Sequence, residues 1–576
     1  VHLLGIYKEG KIYEQGNNFW QWLAEQDDSF VDQAVYGAAI ELLAYRGIDS
    51  LEDLEELYAD GLKRFPGTFA EYHLSPEAVA PDRTQATTVA GLPIALLQGI
   101  TTARILNRDW KHAYLALDTV FRLYPTNVPS RFFELFMMER PLTEAYTVFL
   151  LACRSGVVLK PNHLTTLLHN LNKAAVRLSS LKDRVAIVQG MANALYAYVQ
   201  AGGTVQGPHM GVLLNTFQLL LPHRHFGTAI AENEAMIQNV IVASAHEMVS
   251  LLIQAGLPPY PQVFVSLAQL AGRFKVPELL TVVQQDVETT KVDIGDVGRR
   301  GMLYAAGELH ERNLIEDYWG RIVERAESLG QQISEIDWIT LARVCRRANH
   351  KEYFQHQLEN MKHAIDTITE QKVVAELDEE DRLPRVTEYS LLDPGEFSSE
   401  MEKTKLILGN VGAVIMAGQP LDLRKTPFSM FLDPTREAIA SKEDLQSVYD
   451  ELSTDPHQPE PLPGTQKEIP VSSTGIPFGE LRFFNWATIV GLMKEAEAAE
   501  AEFQRRLDKA IANGVPLDKR YPFTPIFRKP EDSVLDKAVE VTTQSRFTLR
   551  NMVKRLRGPY ASNAGPQRAS PTPRAH

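Results

Sequence analysis

Cysteine is nearly absent from this 576-residue chain: only Cys153 and Cys345 occur, far apart and each inside an apolar stretch. Two such residues cannot build a disulfide framework or a cysteine-ligated metal cluster, and a reducing compartment is their natural setting. Long hydrophobic runs are missing too. The longest, such as residues 212–221, are broken by Asn215, Thr216 and Gln218, well short of the roughly 20 apolar residues a bilayer requires, so no membrane span is expected. Neither a Walker pattern nor a dinucleotide fingerprint can be placed, which argues against nucleotide-driven chemistry. Histidine is thinly spread. The densest site is His223-Arg224-His225, with His163, His169 and His209 upstream, and two histidines one residue apart diverge by about 200° on a helix. His310-Glu311-Arg312-Asn313-Leu314 begins like a zincin helix but carries Leu314 where the second histidine is needed. No catalytic residue, cofactor or metal site is therefore expected, and the chain reads as a non-enzyme.

Acid is lacking at the C-terminal end. Between residues 541 and 576 stand Arg546, Arg550, Lys554, Arg555, Arg557, Arg568 and Arg574 and no Asp or Glu, although the chain as a whole carries a net charge of -14. A basic tail on an acidic body suits a nucleic-acid or ribosome contact, because clustered cations release counterions on binding phosphates; a merely solubilising tail has the same composition. The chain opens on Val1 and not Met, so any targeting presequence would lie upstream of it.

What is present is helical periodicity. From about residue 19 to 365 apolar residues return every three or four positions, with few alternating runs. Within 31–45, Val31, Ala34, Val35, Ala38, Ala39, Leu42 and Leu43 form one stripe. A second helix over 51–65 follows the break at 47–50, with Ser50 as N-cap and Glu52 and Asp53 in a first turn whose dipole favours acids. It stops at Pro66-Gly67. That helical hairpin recurs at 88–106 with 110–123, then at 131–155, 162–201, 208–255, 261–287, 296–329 and 335–364, about eight pairs in all. Gly156, Gly202 and Gly256 stand where a left-handed C-cap is wanted, and Pro161, Pro208 and Pro258 follow within about six residues.

The expected fold class is all-α: an α-solenoid of stacked antiparallel helix hairpins, with an irregular linker and a C-terminal helical extension. The expected domains are an N-terminal segment at 1–29, the solenoid at 30–365 and a mostly irregular linker at 366–477 with room for one helix at 400–416. C-terminal helices and a basic segment follow at 478–557, and a disordered tail at 558–576. The first of the C-terminal helices should span 478–513, closed by Gly514, with Glu502 and Arg506 paired one turn apart.

The string Leu252-Ile253-Gln254-Ala255-Gly256-Leu257-Pro258-Pro259-Tyr260-Pro261-Gln262-Val263-Phe264-Val265-Ser266-Leu267 resembles the joint between two pentatricopeptide repeats, in which a Gly ends one helix pair and a Pro shortly precedes the next. Ser155-Gly156-Val157-Val158-Leu159-Lys160-Pro161 resembles a second such joint. The endings Leu62-Lys63-Arg64-Phe65-Pro66 and Phe121-Arg122-Leu123-Tyr124-Pro125 look more like tetratricopeptide or half-a-tetratricopeptide repeats. The resemblance covers roughly 30–365 and looks closest to the divergent pentatricopeptide proteins of fungal mitochondria. It implies a mitochondrial, non-catalytic RNA-binding factor in RNA processing, stability or translation, with single-stranded RNA or a ribonucleoprotein such as the mitoribosome as partner. The alternative is a protein-interaction scaffold or mitoribosome-associated subunit whose groove holds a protein helix.

In that family the first helix of each pair lines the concave face and reads one base per repeat. With Phe264 as the first-helix aromatic, the reading position falls on Val265, and in the hairpin at 162 on Thr166 or Leu167. Val265 departs from the Asn, Ser, Thr and Asp preferred there, which favours backbone binding or a protein partner. The candidate phosphate contacts in the solenoid are Arg273, Lys275, Arg299, Arg300, Arg343, Arg346, Arg347 and Lys351; Arg546, Arg550, Lys554, Arg555 and Arg557 are those of the tail.

Overall fold

The computed structural model describes residues 1–65 apart from Ser29, 94–123, 128–223, 230–362, 365–378, 389–417 and 478–512. Among these the regular elements are all α-helices, and the β-type pairing is an isolated bridge between Ser180 and Ser390. The chain divides into two compact units. One comprises Val1–His163, Gln200–Gly203 and Pro420–Asn563, the other Leu164–Val199, Thr204–Gln419 and Ala564–His576.

The first unit holds α1 (His2–Glu9), α2 (Tyr13–Ala24), α3 (Gln33–Arg46), α4 (Leu51–Arg64), α5 (Ile94–Leu106), α6 (Trp110–Leu123), α7 (Arg131–Glu139), α8 (Leu142–Arg154) and α21 (Phe478–Ala512). Helices α3 and α4, α5 and α6, and α7 and α8 form hairpins, while α3 packs on α5 and α5 on α7. A hairpin cannot bury its apolar face alone, so contact between successive first helices is what makes a repeat array. Local signals agree with it. The Asp32 carboxylate accepts the Val35 N–H, Gly47 closes α3 at φ 68°, and Ser50 with Asp53 forms a reciprocal capping box at the start of α4. The α3–α5 seam is glycine against glycine: a Cβ on Gly37 would lie 2.1 Å from the Ala95 carbonyl oxygen, and one on Gly99 2.4 Å from that of Gly37.

Helix α21 lies on the second helices α6 and α8 and buries Trp486, Ile489, Val490, Leu492 and Met493. Its polar anchors are buried with it. Arg154 donates to Asn485 Oδ1 at 2.8 Å and Thr488 Oγ1 at 3.0 Å, and Asn485 donates to Ser155 Oγ at 3.1 Å. Further along, Glu500 accepts from Arg108 at 2.9 Å and from the Trp110 indole at 3.0 Å, beside a cleft of about 420 Å³. The Arg140 guanidinium sits 3.9 Å over the Trp110 ring and makes a two-pronged bond to Glu144, both prongs 2.7 Å, while the Tyr114 hydroxyl donates to Glu144 at 2.6 Å.

Next to this network, burial pushes the Glu139 carboxyl up to about 7, against the pull of Arg108 and Arg140. Its folded pKa exceeds the unfolded one, so the folded state holds the proton longer, and stability falls as pH rises from about 4.5 through 7. Glu139→Gln should therefore gain thermal stability over wild type at pH 8 and not at pH 4. Equal differences in melting temperature at the two pH values would refute this.

The second unit contains most of α9 (Pro161–Val176) and α10 (Leu181–Gln200), with α11 (Gly207–Phe217), α12 (Glu232–Gln254), α13 (Pro261–Phe274), α14 (Pro277–Thr290), α15 (Gly295–Leu309) and α16 (Arg312–Ser328). After these come α17 (Glu335–Arg347), α18 (Lys351–Asn360), α19 (Thr367–Asp378) and α20 (Pro394–Ala417). Helices α11, α13, α15, α17 and α19 pack in series, with α14, α16 and α18 as hairpin partners and α20 against α12. The glycines sit where expected, Gly156, Gly202 and Gly256 having φ of 75°, 97° and 103°, and Pro161 and Pro208 stand in the first turns of α9 and α11, but α13 opens at Pro261 and not at Pro258. Helix α12 is, by length and hydropathy, the one helix among the described residues that could cross a membrane. It was not visible as an uninterrupted apolar run. One face of it, with Ile237, Ile241, Ala245, Met248 and Leu252, is buried, and it packs on α13 and α20.

Two expectations on organisation need correcting, and the N-terminal segment, for which none was made, has a regular structure. The segment 1–29 is largely helical, as α1 and α2. Residues 367–378, assigned to the irregular linker, form α19, because Thr369, Val373 and Leu377 return every fourth position and are buried on the side facing α17. The helix expected at 400–416 starts earlier, at Pro394, where Asp393 accepts the Gly395 N–H. Pro66-Gly67, residues 88–93, the Tyr124-Pro125 stop, 379–388, 418–477, the Glu502–Arg506 pair and everything from 513 onward lie outside the described residues.

Candidate nucleic-acid interface

In the second unit the first helices share a register. Gln262, Gln269 and Arg273 on α13 match Val297, Tyr304 and Glu308 on α15 and Ile336, Arg343 and Arg347 on α17, at the same intervals along each helix. Residues at such spacings fall on one helix face. At the outer end of that face stand apolar side chains: Val297 is 72% exposed, Ile336 59% and, at the second position of α19, Ile368 67%. A single exposed apolar residue is ordinary, but recurrence at one place in three consecutive first helices makes a patterned surface.

Deeper along the same helices the charges pair between neighbours. Arg300 on α15 meets Asp337 on α17 at 2.8 Å. Glu308 on α15 receives Lys275 from the end of α13 at 3.4 Å and Arg347 from α17 at 3.6 Å. Arg343 grips the Glu376 carboxylate of α19 with two bonds, 2.8 and 3.0 Å, and Arg346 reaches it at 3.2 Å. Lys372 of α19 returns to Glu335 of α17 at 2.9 Å, and Lys351 lies 3.7 Å from Asp378. The hydrogen bond from Arg343 is the main reason the Glu376 carboxyl is held below its usual range.

The candidate cations inferred from the sequence are thus brought together along α13, α15, α17 and α18, but as a ladder of alternating sign and not as a bare positive strip. Arg299 pairs within its own turn and the loop before it, with Asp293 at 2.7 Å and Asp296 at 3.0 Å. Arg273 donates to the Leu221 carbonyl at 3.4 Å, and its burial lowers the guanidinium pKa to about 10. The carbonyls that end first helices attract such donors: Lys275 also bonds the Glu308 carbonyl and Arg346 that of Glu376. The tail residues Arg546, Arg550, Lys554, Arg555 and Arg557 lie outside the described residues.

The position that the resemblance assigns to base reading, Val265, is half-buried. Val265 does not stand open; it wedges into the α13–α15 seam, where a Cβ on Gly301 would lie 2.7 Å from its Cγ1. Gln262, three residues earlier, is the exposed position. Of the α9 pair, Leu167 is buried and Thr166 exposed. The apolar row was missed because Val297, Ile336 and Ile368 read as core residues in a periodic apolar pattern. The available signal was their position just inside each helix start, off the buried stripe.

Among the described residues no group of three His, Cys, Asp or Glu is arranged to hold a metal. His310 is a left-handed cap at φ 59°, so the zincin-like string straddles the joint between α15 and α16. His223 lies 3.9 Å from Glu308, with Arg224 and His225 outside the described residues. Cys153 and Cys345 are buried, and burial raises both thiol pKa values, Cys345 to about 12, which disfavours a nucleophilic thiolate.

No family model matches the chain, and no curated protein matches it. Among solved structures it is similar to the pentatricopeptide repeat protein PPR10 from maize, at 13% identity and a TM-score of 0.37 over 78% of this chain and 55% of that one. It is also similar to yeast Rmd9p, solved in complex with a 16-nt target RNA, at 14% identity and a TM-score of 0.36 over 67% of this chain and 76% of that one. The chain therefore spans little more than half the length of PPR10. The serial packing of first helices, seen directly in each unit, makes this chain an all-α helical-repeat protein.

Proposed function

We propose that the first-helix face of the second unit binds single-stranded RNA without catalysing any reaction on it. The observation that carries the reading is the row Val297, Ile336 and Ile368: three exposed apolar side chains, one per repeat, at the rim of a charged face. Single strands are held by apolar or aromatic platforms for the bases beside cations for the phosphates, and such a row repeats with the period of the scaffold. Substituting Ile336→Asp together with Ile368→Asp should weaken binding to an unstructured oligonucleotide by about tenfold or more. Folding stability should stay within about 0.5 kcal/mol per site, since both residues are exposed. Unaltered affinity would remove the face.

The cations supply the second half of the test. With Arg343→Ala, Arg346→Ala and Arg347→Ala combined, the slope of log affinity against log salt should flatten by about 2, the contribution of three phosphate contacts on a single strand. The proposal extends, through the family resemblance, to a mitochondrial role in RNA processing, stability or translation, which organelle fractionation and sequencing of crosslinked RNA would check. Ion pairing of the ladder cations favours a second reading, a protein scaffold or mitoribosome-associated subunit. Salt-stable ribosome co-sedimentation with no affinity for free RNA would select it.

A further inference from the structure

Helix α19 is attached to the array unlike the first helices before it. Helix α13 buries Val263, Phe264, Leu267, Leu270 and Phe274, whereas α19 buries only Val373, Leu377 and Thr369 and leaves Ile368 and Val374 exposed. What it adds is acid. Glu376 takes the two-pronged bond of Arg343 and the approach of Arg346, and Asp378 faces Lys351, so two carboxylates at one helix end answer three of the candidate cations. Glu379, Glu380 and Asp381 follow directly in sequence.

A paired guanidinium fork accepts a carboxylate or a phosphate with the same geometry. Arg343 is itself 42% exposed, against 10% for Arg346 and 14% for Glu376, so the Arg343 half of the fork is reached by solvent. At the solvated Arg343 side the pair is weakened and screened by salt, and so little apolar surface under α19 adds little to it.

We propose that the last turn of α19 is a displaceable acidic cap, its first turn with Ile368 staying docked: Glu376 occupies, in place of an RNA phosphate, a phosphodiester-binding fork formed by Arg343 and Arg346, and RNA must expel that carboxylate to bind there. This rests on the RNA-binding reading above and adds that the second unit is self-inhibited at its C-terminal repeat. The ladder further up the array lacks the arrangement, since its acids lie on well-buried helices: Asp337 on α17, which buries Trp338, Leu341 and Val344, and Glu308 on α15, which buries Met302, Leu303 and Leu309.

The test uses the full chain and a fluorescent oligouridine titrated over a range of KCl concentrations. Glu376→Gln should bind several-fold more tightly than wild type, with a salt slope steeper by about 0.7 to 1.4 as one or two cations become available to phosphate. Leu377→Ala, which loosens that turn without touching charge, should shift affinity the same way. Hydrogen exchange on wild type should show faster exchange over 374–378 and slower exchange over 335–347 when the RNA is added. If wild type binds RNA but both variants bind equally or more weakly, or if exchange over 374–378 slows with RNA, the cap is overturned while the RNA face stands. If neither wild type nor the variants bind, the functional proposal falls and the cap with it.

Discussion

Glu144→Ala should cost about 3–5 kcal/mol of stability, because it strands the Arg140 guanidinium in the interior without its partner. Arg140 and Glu144 side chains are only 4% and 1% exposed and are joined by two 2.7 Å bonds, and Tyr114 loses its 2.6 Å acceptor in the same step. The buried guanidinium cannot shed its charge at accessible pH, so the loss is not relieved by titration. Thermal unfolding followed by circular dichroism should show a melting temperature lower by roughly 10 °C. Combining Arg140→Met with Glu144→Leu should recover much of the loss, since an apolar pair of similar size removes the uncompensated charge along with its partner. A single-variant loss under about 1 kcal/mol would mean that water reaches the pair and the burial argument is wrong.

Gly37→Ala should be nearly as damaging, although it adds one methyl group. The new Cβ would stand 2.1 Å from the Ala95 oxygen, 2.5 Å from its carbonyl carbon and 2.9 Å from the Leu96 nitrogen. All three are backbone atoms, so no side chain can swing aside and α3 and α5 must separate. Overpacking of that kind costs about 3 kcal/mol, at the upper end of the usual range. Gly320→Ala on α16 is the control: nothing lies within 4 Å of its Cβ, and it should be neutral or stabilising by about 0.5–1 kcal/mol. Equal effects from the two would show that the α3–α5 seam yields.

The hairpins were legible in the sequence because apolar spacing, Ser50 with Asp53, and the glycine-then-proline joints are local signals that the packed chain kept. Helix α19 was not, since two buried apolar residues next to an acidic run look like linker until α17 supplies the surface they cover. The candidate cations were found, but not their state: Glu376 stands 33 residues from Arg343 in sequence, one repeat away, and only the stacking makes them partners. Arg140 and Arg154 are the converse. Each sits at a helix end where a solvated cation would be unremarkable, and tertiary structure buries both.

The docking of α21 has a cost in time. Arg154 waits for Asn485, 331 residues further along the chain, and at ~5–20 residues per second the ribosome needs on the order of tens of seconds to deliver it. Through that interval α6 and α8 have emerged with the surface meant for Trp486 and Ile489 still bare, and a buried guanidinium still hydrated. Nascent chains stalled before residue 478 should accordingly recruit chaperones and aggregate on release, where chains extending past α21 do not.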